Sequence, residues 1–234
     1  MRRIALVFTL LLATGPAHAA GSGLRWNECE GPSNRAFACD RSTGSEVLVG
    51  SFQSPASNDL LGIDVYFRFT TAEGAVPAWW HMWDAGDCRR NSSSLSVDMS
   101  TETDCEDPWL GQATGLYAPH SFDARGLDLR MVIAVPEQAI QRIAADRTYA
   151  VFRLTINHAR SNGAAACAGC SQPVCIVIEQ MNLAMRNKRD VELTTGRPGS
   201  GGPGNIATWQ GGTPSCGAGA PKSSTWSELK KRYR

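Results

Sequence analysis

The chain has 234 residues and a formal net charge of +1, from 23 Lys and Arg against 22 Asp and Glu. That balance excludes the broad basic stripe a nucleic-acid-binding domain needs, since the only basic cluster lies in the last few residues. With 42% hydrophobic and 19% charged residues the chain has apolar material for a core, so it reads as globular and not as a disordered polymer.

The first 19 residues read as a secretory signal peptide. Met1-Arg2-Arg3 is a positive start, Ile4 to Thr14 an uncharged apolar run, and Ala17-His18-Ala19 a small-x-small cleavage site. The apolar run falls short of the roughly 20 residues a membrane-spanning helix requires. Removing the segment takes Arg2 and Arg3 from the basic count, 23 to 21 against 22 acidic residues, for a net charge of −1. An exported chain is expected, placed in the periplasm, on the outer surface or outside the cell.

In chain order, Leu24 to Cys29 and Arg35 to Cys39 read as short extended segments around the turn Gly31-Pro32-Ser33-Asn34, and Glu46 to Phe52 as a strand. Ile63, Val65, Phe67 and Phe69 alternate with Asp64, Tyr66, Arg68 and Thr70, which predicts a strand with one face buried. Pro77 to Trp83 is the most aromatic stretch; as a strand it would put Trp79, His81 and Trp83 on one face, where Trp79 and Trp83 could stack on separate sugar units. The competing reading, that both faces of this stretch are covered and the rings belong to the core, ranks ahead of it.

Ser94 to Ser100 alternates as a further strand. Asp84, Asp87, Asp104, Glu106 and Asp107 are close in sequence but lack the spacing of a calcium loop, so solvated turn carboxylates rank ahead of a metal site. Leu127 to Val135 predicts a buried strand, and Pro136 opens an expected short helix over Glu137 to Ala145.

The stretch from Thr148 to Met185 organises the rest: a strand over Tyr149 to His158, a small-residue loop, and a second strand from Val174 onward. The switch of apolar face at Glu179-Gln180 predicts a bulge or bend. A tyrosine at a strand start, as Tyr149 is, resembles the tyrosine corner of immunoglobulin and fibronectin sandwiches. Asp190 to Thr195 and Asn205 to Gln210 are expected as short strands, 196 to 204 as a Gly/Pro-rich linker, and the segment from Thr225 as a basic C-terminal helix. The expected fold is therefore an all-β, immunoglobulin/fibronectin-like sandwich over 20 to 195, with one short helix before the organising strand. Residues 205 to 234 would add a last strand and a short C-terminal helix.

All eight cysteines lie beyond residue 19: Cys29, Cys39, Cys88, Cys105, Cys167, Cys170, Cys175 and Cys216. In an exported chain they are read as disulfides. Short separations favour Cys29 with Cys39 and Cys88 with Cys105, leaving Cys167, Cys170, Cys175 and Cys216 to pair among themselves. Cys167-Ala-Gly-Cys170 also has the spacing of a thiol-exchange motif, and with Cys175 and His158 or Cys216 it could count as a zinc ligand set; both readings rank below disulfides. No metalloprotease, serine-hydrolase, P-loop or dinucleotide motif is found, and no cofactor or metal is expected.

Six stretches stand out: Leu-Arg-Trp-Asn-Glu-Cys at 24 to 29, Pro-Ala-Trp-Trp at 77 to 80, Asp-Pro-Trp at 107 to 109, Cys-Ala-Gly-Cys-Ser-Gln-Pro-Val-Cys-Ile-Val at 167 to 177, Thr-Trp-Gln-Gly-Gly at 208 to 212, and Ser-Thr-Trp with a terminal Tyr-Arg at 224 to 234. Together they resemble a group of uncharacterised exported bacterial proteins. The resemblance implies a bacterial exported protein, weakens Asn91-Ser92-Ser93 as a glycosylation site, and implies no activity. The function expected is a secreted, non-catalytic binding or structural sandwich. One alternative is a carbohydrate-binding module using Trp79 and Trp83, with an extracellular glycan or surface component as partner; another is a secreted hydrolase with two carboxylates across a cleft.

Overall fold

The structure is a computed structural model and describes residues 20–72, 75–123, 126–186, 190–194 and 204–211. The expected signal peptide, most of the linker, Cys216 and the C-terminal helix lie outside the described residues. The described chain forms twelve strands: β1 (Gly21–Trp26), β2 (Asn34–Arg35), β3 (Ser45–Gln53), β4 (Asn58–Thr70), β5 (Ser93–Ser96), β6 (Thr114–Asp123), β7 (Gly126–Ala134), β8 (Gln141–Ile143), β9 (Thr148–Asn157), β10 (Val174–Met185), β11 (Val191–Thr194) and β12 (Ile206–Trp209).

They make two sheets. A four-stranded sheet runs β1-β3-β9-β5, and a larger one runs β2-β12-β10-β4-β7-β6, with β11 also on β10 and β8 also on β4. The chain passes repeatedly between the sheets, and two of these crossings are neighbours. β3 leads into β4 and β9 into β10, and because β3 pairs with β9 while β4 pairs with β10, both crossings are made side by side. The alternating residues of β4 close the core as expected: Ile63, Val65, Phe67 and Phe69 are buried, and Phe67 meets Phe152 of the other sheet edge-on at 5.3 Å.

The Ala144 N–H donates to the Tyr149 hydroxyl at 2.8 Å, which ties the turn before β9 to the strand itself, while the ring stacks on Phe52 at 5.5 Å. Gly50 is fixed by close approach, because a Cβ there would lie 1.9 Å from the Phe152 ring.

Three expected elements differ. The helix over Glu137 to Ala145 is instead one 3-10 turn, Glu137–Ala139, followed by β8. Pairing of β8 with Asn58–Leu60 of β4 satisfies its backbone and buries Ile143, and that tertiary gain outweighs local helix preference. Pro77 to Trp83 holds a 3-10 turn over Ala78–Trp80 in place of a strand; Pro77 precedes it, and the Trp79 N–H is taken by Ala168 O at 2.9 Å. The strand expected over Ser94 to Ser100 stops at Ser96, after which Asp98 accepts from the Ser100 N–H in a turn.

The disulfide pairing also differs from expectation. The bridges are Cys29–Cys105, Cys39–Cys170 and Cys88–Cys167, separated by 76, 131 and 79 residues. Neither local pair forms, and Cys167 and Cys170 do not pair within their own group. Cys175 is disulfide-bonded as well. The reason is position: Cys29 leaves β1 beside the loop that precedes Trp109, where its N–H donates to Glu102 Oε2 at 3.1 Å, and the loop before β10 receives both Cys39 and Cys88. Thiol exchange and zinc binding through Cys167 and Cys170 are both ruled out in this state, since each sulfur is held by a distant partner.

Candidate functional site

Trp79, His81 and Trp83 do not share an open face. Trp79 is 0% exposed. Its ring lies 4.8 Å from Trp209 and 5.1 Å from Trp80, its Nε1 donates to Ser161 Oγ at 2.9 Å, and the Arg89 guanidinium covers it at 3.4 Å. Arg89 is itself buried, donating to Ala159 O, Trp79 O and Asn157 O; burial lowers its pKa to about 9, which leaves it charged at neutral pH. These contacts, with Trp26 and Phe37 packed on Trp209, form an aromatic cluster that clamps β12 against the loop between β9 and β10, where Trp209 Nε1 donates to Cys170 O at 2.7 Å.

Trp83 is half-buried against Phe69, and His81 is half-exposed with Nε2 at 3.3 Å from Val76 O. A flat tryptophan pair is therefore absent, and the platform reading of Trp79 is corrected: the ring is core. The turn carboxylates have backbone duties. Asp87 accepts from the N–H groups of Trp83 and Asp84 at 2.7 Å each, and Asp107 from the Trp109 N–H at 2.7 Å. Among the described residues no cluster of His, Cys, Asp or Glu is arranged to hold a metal ion. A cavity of about 310 Å³ is lined by Glu30, Asp104, Glu106, Asp146 and Arg147, and Arg147 reaches Glu106 at 3.0 Å.

The other concentration of chemistry is on the outer face of the larger sheet. Asp64, Tyr66 and Arg68 of β4 stand between Asp128 and Arg130 of β7 on one side and Gln180 and Asn182 of β10 on the other, as the strand register requires. Arg130 holds Asp64 with two bonds, Nε to Oδ1 at 3.0 Å and Nη2 to Oδ2 at 2.7 Å, and its guanidinium lies 5.3 Å from the Tyr66 ring centre. Arg68 sits between two carboxylates, with Nη2 at 3.0 Å from Asp128 and Nε at 3.0 Å from Glu179.

Two bulges complete the set. The register of β10 on β4 slips between Ile178 and Gln180, so Glu179 is the extra residue, and the register of β6 on β7 slips between Pro119 and Ser121, so His120 is. In a regular strand either residue would alternate with its neighbours; as a bulge residue each is re-aimed. Glu179 thereby reaches Arg68, and exposed His120 meets Tyr66 edge-on at 6.2 Å. Burial raises the Glu179 pKa above the usual glutamate value, opposed by Arg68 and reinforced by Asp128.

The bulge at Glu179 was readable in the sequence as a change of apolar face. The one at His120 was not, since Pro119 interrupts the alternation of β6 and the strand itself leaves a weak pattern.

No family model matches the chain, and no curated protein matches it. Among solved structures, AvmM, which catalyses macrocyclisation in alchivemycin A biosynthesis, is similar over 84% of this chain and 90% of its own, with 10% identity and a TM-score of 0.39. A CBM3 of Hungateiclostridium clariflavum is similar over 71% of this chain and 99% of its own, with 11% identity and a TM-score of 0.31. Neither likeness reaches the level from which a shared function follows.

Proposed function

We propose that this is an exported, non-catalytic binding protein, and that its ligand lies on the outer sheet face around Tyr66, Arg68, His120, Arg130 and Glu179. The observation that carries the reading is the pair of bulges: two strands on opposite sides of β4 each break register to deliver a polar side chain to the same face. Export is supported by the leader-like first 19 residues and by long-range disulfides, which fit an oxidising environment. The hydrogen bond between Tyr149 and the turn before its strand supports placing the sandwich with the immunoglobulin/fibronectin type.

The ligand class is carbohydrate, with Tyr66 in place of the tryptophans as the ring. Carboxylates and guanidinium groups held rigid by ion pairs present two hydrogen-bonding atoms in one plane, which suits adjacent hydroxyls, and an aromatic ring suits the apolar face of a sugar. Binding is favoured over hydrolysis because Asp64 and Asp128 each face an arginine within 3.0 Å. A carboxylate held in that way is a fixed acceptor and a poor proton shuttle.

A glycan array probed with the wild-type protein and with Tyr66→Ala tests this. Binding to one glycan class that is lost in the variant supports the reading. An array on which wild type and variant give the same profile removes it.

A further inference from the structure

The connectivity of the bridges carries an inference independent of any ligand. In chain order the six cysteines of the three bridges are Cys29, Cys39, Cys88, Cys105, Cys167 and Cys170, and no bridge joins consecutive members: Cys29 pairs with Cys105, Cys39 with Cys170 and Cys88 with Cys167. An unfolded chain meets the opposite preference. Ring-closure probability falls as the three-halves power of loop length, so Cys29 meets Cys39, ten residues on, about 20-fold more often than Cys105 at 76 residues. By the same scaling Cys88 meets Cys105, 17 residues on, about 10-fold more often than Cys167 at 79. Cys167 and Cys170 are three residues apart, and a chain oxidised from its N-terminus onward would close each consecutive pair before the native partner arrives.

We propose that this protein is a client of a thiol–disulfide isomerase, a partner carrying a reduced dithiol, which converts a consecutively bridged chain into the native one. The conversion needs no net oxidant, because the two bridge sets interchange through one closed chain of thiolate attacks. The isomerase thiolate breaks Cys29–Cys39, forming a mixed disulfide with Cys29 and releasing the Cys39 thiolate. Cys39 attacks Cys170 of the Cys167–Cys170 bridge and releases Cys167; Cys167 attacks Cys88 of Cys88–Cys105 and releases Cys105. Cys105 then attacks the mixed disulfide at Cys29, making the third native bridge and returning the isomerase as its thiolate. Three bridges break, three form, and one proton-neutral thiolate is passed along throughout.

Folding supplies the direction and the isomerase only the route. In the native protein Cys29, Cys167 and Cys170 are each 4% exposed, and the Cys170 carbonyl accepts from Trp209 Nε1 and Gln210 Nε2. The correct bridges are thereby withdrawn from further attack, whereas Cys29–Cys39 would leave Cys170 and Cys105 without their partners and the β12 clamp unfastened.

The test starts from the whole protein, reduced and unfolded, then diluted into native buffer with diamide alone or with diamide and a catalytic amount of a dithiol isomerase. Bridges are read by non-reducing peptide mapping. With diamide alone, Cys29–Cys39 and Cys88–Cys105 should dominate, with native bridges in fewer than about one molecule in ten, following the closure ratios above; the isomerase should raise the native fraction several-fold. Native bridges as the main products under diamide alone would overturn the proposal, and so would a product distribution that the isomerase leaves unchanged, including aggregation in both conditions. As a second measurement that does not require refolding to succeed, an isomerase lacking its resolving cysteine should be trapped in a mixed disulfide with the diamide-oxidised, consecutively bridged chain; failure to form that adduct counts against the proposal.

Discussion

Truncating Trp79 to alanine should cost the fold about 3 to 5 kcal/mol, the range for removing a fully buried aromatic ring. The upper half of that range applies, because the ring does more than fill volume: it is 0% exposed, touches Trp80 and Trp209, donates to Ser161 and covers the Arg89 guanidinium at 3.4 Å. A desolvated cation–π contact contributes about 2 kcal/mol, and its loss leaves a buried charge facing a cavity. At about 2 to 4 °C per kcal/mol for a chain of this size, the thermal midpoint should fall by roughly 8 to 20 °C. Calorimetry with disulfides intact, together with guanidinium unfolding, measures this. A loss below about 1 kcal/mol would refute the placement of Trp79 in the core and restore it as a surface platform.

Tyr149→Phe keeps the ring on Phe52 but removes the acceptor for the Ala144 N–H, so denaturant unfolding should show a loss of about 1 to 2 kcal/mol. Replacing Cys39 and Cys170 together by alanine opens a 131-residue loop, which should lower stability by about 4 to 5 kcal/mol on the chain-entropy account, read from the urea midpoint. For Glu179, burial raises the folded pKa above the unfolded one, so its contribution is most favourable at low pH and is lost as pH rises through the folded value. Glu179→Gln should therefore gain on the wild type between pH 4 and pH 7, by less than about 1 kcal/mol because the group is partly solvated; a change of opposite sign in urea titrations would mean that the Arg68 pair outweighs burial.

Local chemistry made much of the scaffold legible. The period-two pattern of β4, the start of β9 at Tyr149 and the slip at Glu179 each follow from residues that see only their neighbours or one face of a sheet. What escaped the sequence depends on distant chain. Glu137 to Ala145 carries helix signals, but β4 offers its backbone a pairing partner more than 80 residues away in sequence. The cysteines were read by loop length, which governs encounters in the unfolded chain, whereas the folded chain chooses partners by where β1, the Trp79 turn and the loop before β10 come to rest. Tyr66 and Arg68 looked like the solvated half of an alternating strand. Their significance appears only when register places Asp128, Arg130 and Glu179 beside them.

The central claim, that the outer face of the larger sheet is the binding surface, is tested most directly by chemical-shift mapping with the strongest glycan from the array. Shifts concentrated on Asp64, Tyr66, Arg68, His120, Arg130 and Glu179, saturating with a single affinity, are the predicted result. Shifts clustered instead around the acidic cavity of Glu30, Asp104 and Asp146, or around His81 and Trp83, would contradict it.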